Sequence, residues 1–261
     1  MIQSDFHVHT FYCDGNDAPE AIVNEALRLG MKRIGFSGHS YTEFDEEPCM
    51  SVENTRRYRA EIDRLKKIYG GKIEILCGTE QDYYSGMTTE GYDYVIGSVH
   101  YVMINGRYIS VDHKPEVLTE LIHECGDDPY EAAERYYALV SDVVNRTGAD
   151  IIGHFDLITK FNENNENGEF FDEENPRYIT ACNNALDVLL KTDRPFEINT
   201  GAISRGYRSS PYPSRRILKY IAEHNGSVIL SSDAHSKDTL MFKFTECEEL
   251  ARSLGLKIVE L

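Results

Sequence analysis

The stretch Val228-Ile229-Leu230-Ser231-Ser232-Asp233-Ala234-His235 places a carboxylate and an imidazole directly after an apolar run. Gly226 precedes this run and polar residues follow it, a pattern typical of a buried parallel strand. Ionisable residues end five other such segments: Asp5-Phe6-His7-Val8-His9, Gly38-His39, Thr79-Glu80, Ser98-Val99-His100 and Gly153-His154. An apolar core has no use for ionisable groups at so many strand ends. We therefore expect a shared site for polyvalent metal ions.

Strands and helices alternate along the whole chain. The predicted strands are Ile2–Val8, Lys32–Ser37, Ile73–Gly78, Tyr92–Val99, Ile151–Gly153, Phe196–Asn199 and Val228–Leu230. Helical apolar spacing separates them, and Ile258-Val259 is predicted as a terminal extended piece. Seven strand–helix units without a clear linker predict one α/β domain over residues 1–261, a closed or nearly closed parallel barrel. The carboxyl ends of all its strands would then lie on one face, where such barrels build their sites.

Local signals add details to this outline. Asp17 and Glu20 form a predicted capping box for the first helix, and Asn175-Pro176 is a predicted start of a later helix. The turn signal Asn105-Gly106 predicts an inserted hairpin, and Thr239–Ser253 is predicted as the last helix. The polar stretch Asn162–Asn175 is predicted to be a mobile loop.

The composition limits the classes of binding partner and the cellular location that we expect for this protein. The 261 residues carry 44 acidic and 27 basic side chains, a net charge of −17, which argues against nucleic-acid and acidic-membrane partners. There is no basic-then-apolar leader and no apolar run of membrane-spanning length, so we expect a cytoplasmic protein. The six scattered cysteines include no Cys-x-x-Cys pair and are expected to be free thiols.

The candidate ligands have spacings that suit metal binding. His7 and His9 lie on one side of an extended chain, and Asp233 and His235 repeat this spacing. Glu80 could bridge two ions with its two carboxylate oxygens. Mixed nitrogen and oxygen ligands favour zinc, iron or manganese over magnesium or calcium.

A family resemblance joins these motifs. The chain resembles the PHP (polymerase and histidinol phosphatase) family through His7-Val-His9, Asp14-Gly15, Gly38-His39, Gly78-Thr-Glu80, Ser98-Val-His100, Gly153-His154 and Asp233-Ala-His235. It resembles the histidinol-phosphatase branch through residues 153–162 and 197–205 and through Tyr212-Pro-Ser214. The resemblance implies a distorted (β/α)7, TIM-barrel-like fold that holds three divalent metal ions, Zn, Fe or Mn.

The resemblance also implies a ligand set. The first metal would take His7, His9, Glu80 and Asp233, and the second would share Glu80 with His100 and His154. The third would take His39 and His235, together with Asp14, a position at which relatives also carry histidine.

The implied reaction is hydrolysis of L-histidinol phosphate to L-histidinol and phosphate in histidine biosynthesis. A metal-bridging hydroxide would attack phosphorus. Asp233 would accept the proton, and His235 or a metal-bound water would protonate the leaving group. Arg205 and Arg208 follow the sixth strand and Lys160 the fifth, on the face that carries the ligands. All three are candidates for binding the substrate, and Arg205 is also a candidate for catalysis.

Several alternatives stay open at this point. The same cluster serves nucleases in related proteins, so nucleotides or oligonucleotides are the second substrate class, and a non-catalytic metal-binding module is the third reading. Glu43, Asp112 and Tyr101 are unranked candidates for recognising the imidazole and ammonium of the substrate. The remaining histidines are expected on surface or helix faces: His113, His123 and His224. The oligomeric state and the native metal stay open.

Overall fold

The apolar runs form strands in a computed structural model that describes residues 2–163 and 168–261. The strands of these residues are β1 (Ser4–Asp5), β2 (Arg33–Phe36), β3 (Glu74–Asp82), β4 (Tyr94–Ser98), β5 (Tyr101–Ile104), β6 (Arg107–Ser110), β7 (Ile151–Ile152), β8 (Phe196–Asn199), β9 (Ser227–Ser231) and β10 (Lys257–Ile258). Eight of the strands described form a parallel sheet in the order β1-β2-β3-β4-β7-β8-β9-β10, and β5 pairs with β6 as the predicted antiparallel hairpin. The predicted α/β, TIM-barrel-like fold class is confirmed.

The sheet curls until its first and last segments meet at the carboxyl edge. Val8, beyond β1, pairs with Ala234, beyond β9, and the His9 amide donates to the Ala234 carbonyl at 2.9 Å. The buried Asp5 carboxylate accepts the amides of Ser232 at 3.1 Å and Met241 at 3.2 Å. At the amino end β10 pairs with β9, so the predicted terminal extended piece is an additional strand of the sheet. The result is a distorted, partly closed barrel.

A tyrosine fills the barrel below that edge. The Tyr94 hydroxyl donates to the Phe36 carbonyl at 3.0 Å, and its ring meets Phe6 edge-on at 5.9 Å. A Cβ atom at Gly35 would lie 2.4 Å from the Tyr94 hydroxyl, and one at Gly78 would lie 2.3 Å from the ring. Both positions therefore need glycine, and the interior is a packed core rather than a pore.

Helices cover the outside of the sheet. The α-helices of the described residues are α1 (Pro19–Arg28), α2 (Val52–Tyr69), α3 (Pro115–Glu124), α4 (Pro129–Thr147), α5 (Pro176–Leu189), α6 (Gly201–Ser204), α7 (Arg215–Glu223) and α8 (Phe244–Ser253). Their apolar faces are buried, as Ile62 and Leu65 of α2 and Tyr136 and Tyr137 of α4 illustrate. Within the two described ranges, none of these helices combines the length and apolar character needed to cross a membrane.

Helix starts show where local prediction succeeds and fails. Asn175 caps α5 as predicted, accepting the Arg177 amide at 2.9 Å. The predicted capping box of α1 is wrong, because the carboxylate of Asp17 instead accepts the Lys237 amide at 2.9 Å. The last helix begins at Phe244 rather than Thr239, since Lys243 has a left-handed φ of 54° that interrupts the helix.

The polar stretch predicted as a loop falls partly outside the structure. Residues 164–167 of Asn162–Asn175 lie outside the described residues. On either side of them, the Asn162 side chain donates to the Phe171 carbonyl at 3.0 Å and accepts the Phe171 amide at 3.2 Å. Asn162 and Phe171 thus anchor this stretch to each other.

Candidate metal centre and active-site cavity

Glu80 lies at the centre of the predicted cluster. It occupies the carboxyl-terminal part of β3, and its side chain is only 1 % exposed. Its Oε2 atom lies 3.1 Å from His7 Nε2 and 2.9 Å from His39 Nδ1. Its Oε1 atom lies 2.9 Å from His154 Nε2 and 3.3 Å from His100 Nε2. The two oxygens therefore face two separate sets of imidazoles, an arrangement suited to a bridging carboxylate.

A second group forms where the sheet closes. Asp233 follows β9 with a left-handed φ of 50°, and its Oδ1 lies 3.2 Å from His9 Nε2 and 3.8 Å from His7 Nε2. One donor atom from each of these three residues lies within 4.8 Å of the others. Asp233 is far from His7 and His9 in the sequence, and the pairing of Val8 with Ala234 brings the two strand ends together.

A third group lies beside the second. The Asp14 Oδ2 atom lies 3.1 Å from His235 Nε2 and 3.7 Å from His39 Nε2, and its Oδ1 lies 3.5 Å from His9 Nδ1. Donor atoms of these four residues also lie within 4.8 Å of one another. The structure thus brings all the predicted metal ligands into one contiguous cluster.

The donor atoms of the cluster fit divalent metal ions. Nε2 of His7, Nε2 of His9 and Oε2 of Glu80 lie close to neighbouring groups, but none of their contacts within the described residues has the geometry of a hydrogen bond, and all three atoms are buried. Leaving three such atoms unpaired would cost about 1–3 kcal/mol each, whereas nitrogen and carboxylate oxygen are the ligands that zinc, iron and manganese accept. The donor set therefore fits a divalent-metal centre.

The proposed imidazole ligands differ in protonation. Burial alone would lower the pKa of His7, His39 and His100, but nearby carboxylates, Glu80 among them, outweigh burial and raise all three pKa values, so a metal ion would displace protons there. Burial lowers the pKa of His9 to about 3, with a further contribution from His235 and His39, so the imidazole is neutral and able to coordinate. Burial raises the pKa of Glu80, but the charges of His7, His39 and His100 outweigh it and hold that pKa well below its usual range.

Two further carboxylates hold the ligands in place and were not predicted from sequence. Glu197 of β8 is fully buried: its Oε1 lies 2.7 Å from His7 Nδ1, and its Oε2 accepts the His154 amide at 3.0 Å. Asp82 of β3 contacts His100 Nδ1 at 3.1 Å. Such contacts orient an imidazole so that its other nitrogen faces the metal. The signal available in the sequence was an acidic residue inside an apolar strand for Glu197 and the two-residue spacing from Glu80 for Asp82.

A cavity of about 270 Å³ opens over the cluster and contains two of the predicted basic residues. Arg205 follows α6 directly, a short helix that the sequence did not predict, and donates to Asp233 Oδ2 at 3.0 Å and to His235 Nδ1 at 2.9 Å. Lys160 donates to Asp112 Oδ2 at 3.1 Å on another wall. The cavity therefore combines carboxylates and imidazoles with two cations.

Arg208 is placed differently. It is 6 % exposed and is not among the described residues that line the cavity. Its guanidinium donates to Thr159 Oγ1 at 2.6 Å and lies 3.8 Å from the buried Asp156 carboxylate. This buried side chain therefore binds residues behind the cavity wall, and the structure does not place it in the substrate site for which the sequence made it a candidate.

The other residues singled out in the sequence lie either in the wall of the metal cavity or on the protein surface. Tyr101 and Asp112 line the cavity, whereas Glu43 is exposed and absent from the lining residues described. His113 was expected on the surface; it is exposed but also lines the cavity, because the inserted hairpin carries the following loop to the opening. The expected peripheral placement holds for the two other histidines, of which His123 pairs with Asp127 and His224 stacks on Tyr220.

Fold and site together define a parallel barrel protein with a divalent-metal centre at its strand ends. The chain belongs to the PHP domain family, whose model matches residues 5–201. The matched range holds most of the cluster, and the candidate ligands Asp233 and His235 lie beyond it.

Individual relatives cover nearly the whole chain. A histidinol-phosphatase of Bacillus subtilis is 26% identical over 257 residues, which span 90% of this chain and 94% of that protein. The crystal structure of histidinol phosphate phosphatase from Lactococcus lactis, in complex with zinc, L-histidinol and phosphate, superimposes with a TM-score of 0.72 at 22% identity and covers 98% of this chain and 95% of that one. A proposed histidinol phosphatase from Listeria monocytogenes gives a TM-score of 0.80 at 19% identity, with 93% and 99% covered. These structural similarities show that the fold is shared.

Proposed function

We propose that this chain, as one barrel domain spanning residues 1–261, hydrolyses L-histidinol phosphate to L-histidinol and inorganic phosphate. The observation that carries the proposal is the Glu80-centred cluster, which lies at a cavity that also contains Arg205 and Lys160. The family and the histidinol-phosphatase relatives support the same reaction. A small phosphate monoester is the substrate class that such a cavity would take.

We propose three divalent ions, Zn, Fe or Mn, for this site. Three groups of donor atoms support that number. Donor atoms lie within 4.8 Å of one another in His7, His9 and Asp233; in His39, Glu80 and His100; and in His9, Asp14, His39 and His235. We propose that the first ion binds His7, His9, Glu80 and Asp233, the second Glu80, His100 and His154, and the third Asp14, His39 and His235. When bound, such ions lower the pKa of water and offset phosphoryl charge.

The protein side chains have roles that follow from their contacts. Burial raises the pKa of Asp233, but Arg205 and His7 outweigh it, so that the pKa lies well below its usual range and the carboxylate stays ionised. In this form Asp233 can accept a proton from the attacking water. The leaving group would take its proton from a water molecule in the cavity rather than from His235, because both nitrogens of His235 are engaged: Nδ1 accepts from Arg205 at 2.9 Å, and Nε2 is a proposed metal ligand that lies 3.1 Å from Asp14 Oδ2. The guanidinium of Arg205 can in addition hold a phosphoryl oxygen.

Lys160 contributes a second positive charge to the cavity. Its ammonium group is fixed by the Asp112 carboxylate at 3.1 Å and by the Asp112 carbonyl at 2.7 Å. It also lies 4.8 Å from the centre of the Tyr207 ring. An ammonium ion held in this way can attract the phosphate group without closing the cavity.

The test is phosphate release by the purified protein supplied with Zn²⁺, Mn²⁺ or Fe²⁺. L-histidinol phosphate is compared with mononucleotides, sugar phosphates and a short single-stranded oligonucleotide, and metal per chain is measured by elemental analysis. We expect the highest kcat/KM for histidinol phosphate, loss of activity on chelation and recovery on adding metal. A preference for nucleotides or oligonucleotides would overturn the substrate, and activity that survives complete metal removal would overturn the mechanism.

A further inference from the structure

The inserted hairpin forms an aromatic cluster with the loop that follows β2. The ring of Tyr108, on β6, stacks on Phe44 with a centroid distance of 3.8 Å and an angle of 7°. Tyr101, on β5, meets Phe44 edge-on at 4.9 Å, and its hydroxyl donates to Asp45 Oδ2 at 2.6 Å. Two segments far apart in sequence thus present flat rings and a carboxylate together.

These residues line a second cavity of about 470 Å³, which we call the annex. Asp14, Asp45 and Tyr101 line both the annex and the metal cavity. Asp14 is also one of the third group of proposed metal ligands. The annex therefore adjoins the place where the phosphate ester would be cleaved.

Acidic side chains give the annex a negative charge. Asp45, Glu47 and Glu120 line it together with one arginine, Arg107. The guanidinium of Arg107 forms ion pairs with Glu120 and, at 3.5 Å, with Glu124, so its charge is already compensated. Aromatic faces next to a carboxylate attract flat or cationic groups.

We propose that the annex binds the cationic, aromatic part of the substrate and that Asp45 is its specificity-determining residue. The inference rests on the proposed function, since the leaving group of histidinol phosphate carries an imidazole and an ammonium. A carboxylate accepts hydrogen bonds at both oxygens, so Asp45 can take the Tyr101 hydroxyl on Oδ2 and a ligand N–H on Oδ1. Because Phe44 and Tyr108 stack on each other and are both partly exposed, the imidazole would lie against an outer side of this stacked pair.

Asp45 is better placed to meet the substrate cation than Asp112 and Glu43, the two acidic candidates from the sequence. Asp112 already pairs with Lys160 at 3.1 Å. Glu43, two positions before Asp45, is exposed and lies outside the described lining of both cavities. Asp45 is the acidic residue that combines a place in both cavities with an aromatic partner that orients it.

The test compares Asp45→Asn with Glu43→Gln, a matched charge removal in the same loop. The readout is the ratio of kcat/KM for L-histidinol phosphate to kcat/KM for phenyl phosphate, an aromatic ester that lacks the cation. We expect Asp45→Asn to lower this ratio about tenfold, mainly through KM for histidinol phosphate. Glu43→Gln should keep the wild-type ratio. Binding of L-histidinol alone, measured by calorimetry, should weaken in Asp45→Asn by a similar factor.

Each outcome is decisive for one of the two proposals. If the wild type prefers histidinol phosphate and Asp45→Asn keeps the wild-type ratio, the inference about the annex is wrong and the proposed function stands. If kcat/KM falls equally for both substrates and L-histidinol binds normally, Asp45 acts on folding or on the metal centre, and the inference is again wrong. Should the wild type show no preference for histidinol phosphate, the proposed function itself fails. Tyr101→Phe, which keeps the ring, provides a second variant with the same expected direction.

Discussion

The metal cavity and the annex are held in place in different ways, as Glu80 and Tyr108 show. Glu80 belongs to the floor of the metal cavity, by which we mean the proposed metal ligands and the residues that orient them; Tyr108 belongs to the wall of the annex. Glu80 is 1 % exposed and sits near the end of the nine-residue strand β3, paired on both sides within the parallel sheet. Tyr108 is 45 % exposed and belongs to a hairpin whose strands pair with each other. The sheet thus fixes the positions of the proposed metal ligands, whereas the loops and the hairpin determine which side chains surround the substrate. Substitutions in the floor should lower kcat/KM for every phosphate ester, whereas substitutions in the annex should change the ratio of kcat/KM between esters.

The largest effect is expected for Glu80→Gln. The amide cannot bridge two cations, so metal binding and transition-state stabilisation should both be lost, with kcat/KM falling about 10³-fold or more for histidinol phosphate and phenyl phosphate alike. Steady-state kinetics on both esters and elemental analysis of the purified variant measure this.

The matched control is Glu74→Gln on the same strand. Glu74 lies at the amino end of β3, where its half-exposed carboxylate pairs with Arg33 at 2.8 Å, and its loss should leave activity and metal content near wild type. Full metal content and activity within tenfold of wild type in Glu80→Gln would refute the central role of Glu80. An unequal loss on the two esters would break the proposed division between floor and annex.

The floor could be predicted from sequence because its ligands follow apolar strands. In a parallel barrel the strand ends share one face, so His7, His100 and Asp233 needed no further information to be placed together. Glu197 was missed because it looks like part of the strand rather than its end. The annex could not be predicted from the sequence, because the stacking of Phe44 on Tyr108 depends on how a loop and the hairpin meet above the sheet. Arg208 was assigned to the substrate because no local signal in the sequence shows that its side chain is buried against Thr159 and Asp156.

An intermediate effect is expected for Glu197→Gln. The carboxylate of Glu197 accepts from His7 Nδ1 and from the His154 amide, whereas an amide side chain has one accepting oxygen and must set its NH₂ group against the other donor. We expect metal affinity or kcat/KM to fall about 10–100-fold. Competition with a metal chelator measures the affinity, and the kinetics are repeated at saturating metal.

A purely structural role would give another result. If Glu197 only supported packing, Glu197→Gln would lower the melting temperature and leave metal affinity unchanged in the folded protein. If Glu197 orients His7, saturating metal should recover part of the activity in a sample that is fully folded. Both esters should again be affected equally, since Glu197 touches floor residues and lies outside the described lining of the annex.

The smallest effect on activity is expected for Arg208→Gln, and its matched control is Arg205→Gln, three positions earlier. Arg208 compensates the buried Asp156 carboxylate at 3.8 Å, and removing one partner of such a pair costs about 3 kcal/mol or more. The melting temperature of Arg208→Gln should therefore fall by several degrees, while kcat/KM well below that temperature changes little.

Arg205→Gln should behave in the opposite way. Its guanidinium faces the cavity and contacts Asp233 and His235, so kcat/KM should fall about 10²-fold. Its side chain is partly exposed, and Asp233 keeps its contacts with His7 and His9 when Arg205 is replaced, so the expected change in melting temperature is small. Thermal unfolding and steady-state kinetics on both variants separate the two arginines. A loss of activity in Arg208→Gln as large as that in Arg205→Gln, with an unchanged melting temperature, would return Arg208 to the substrate site, because a side chain buried behind the wall can act on phosphate only if that wall opens.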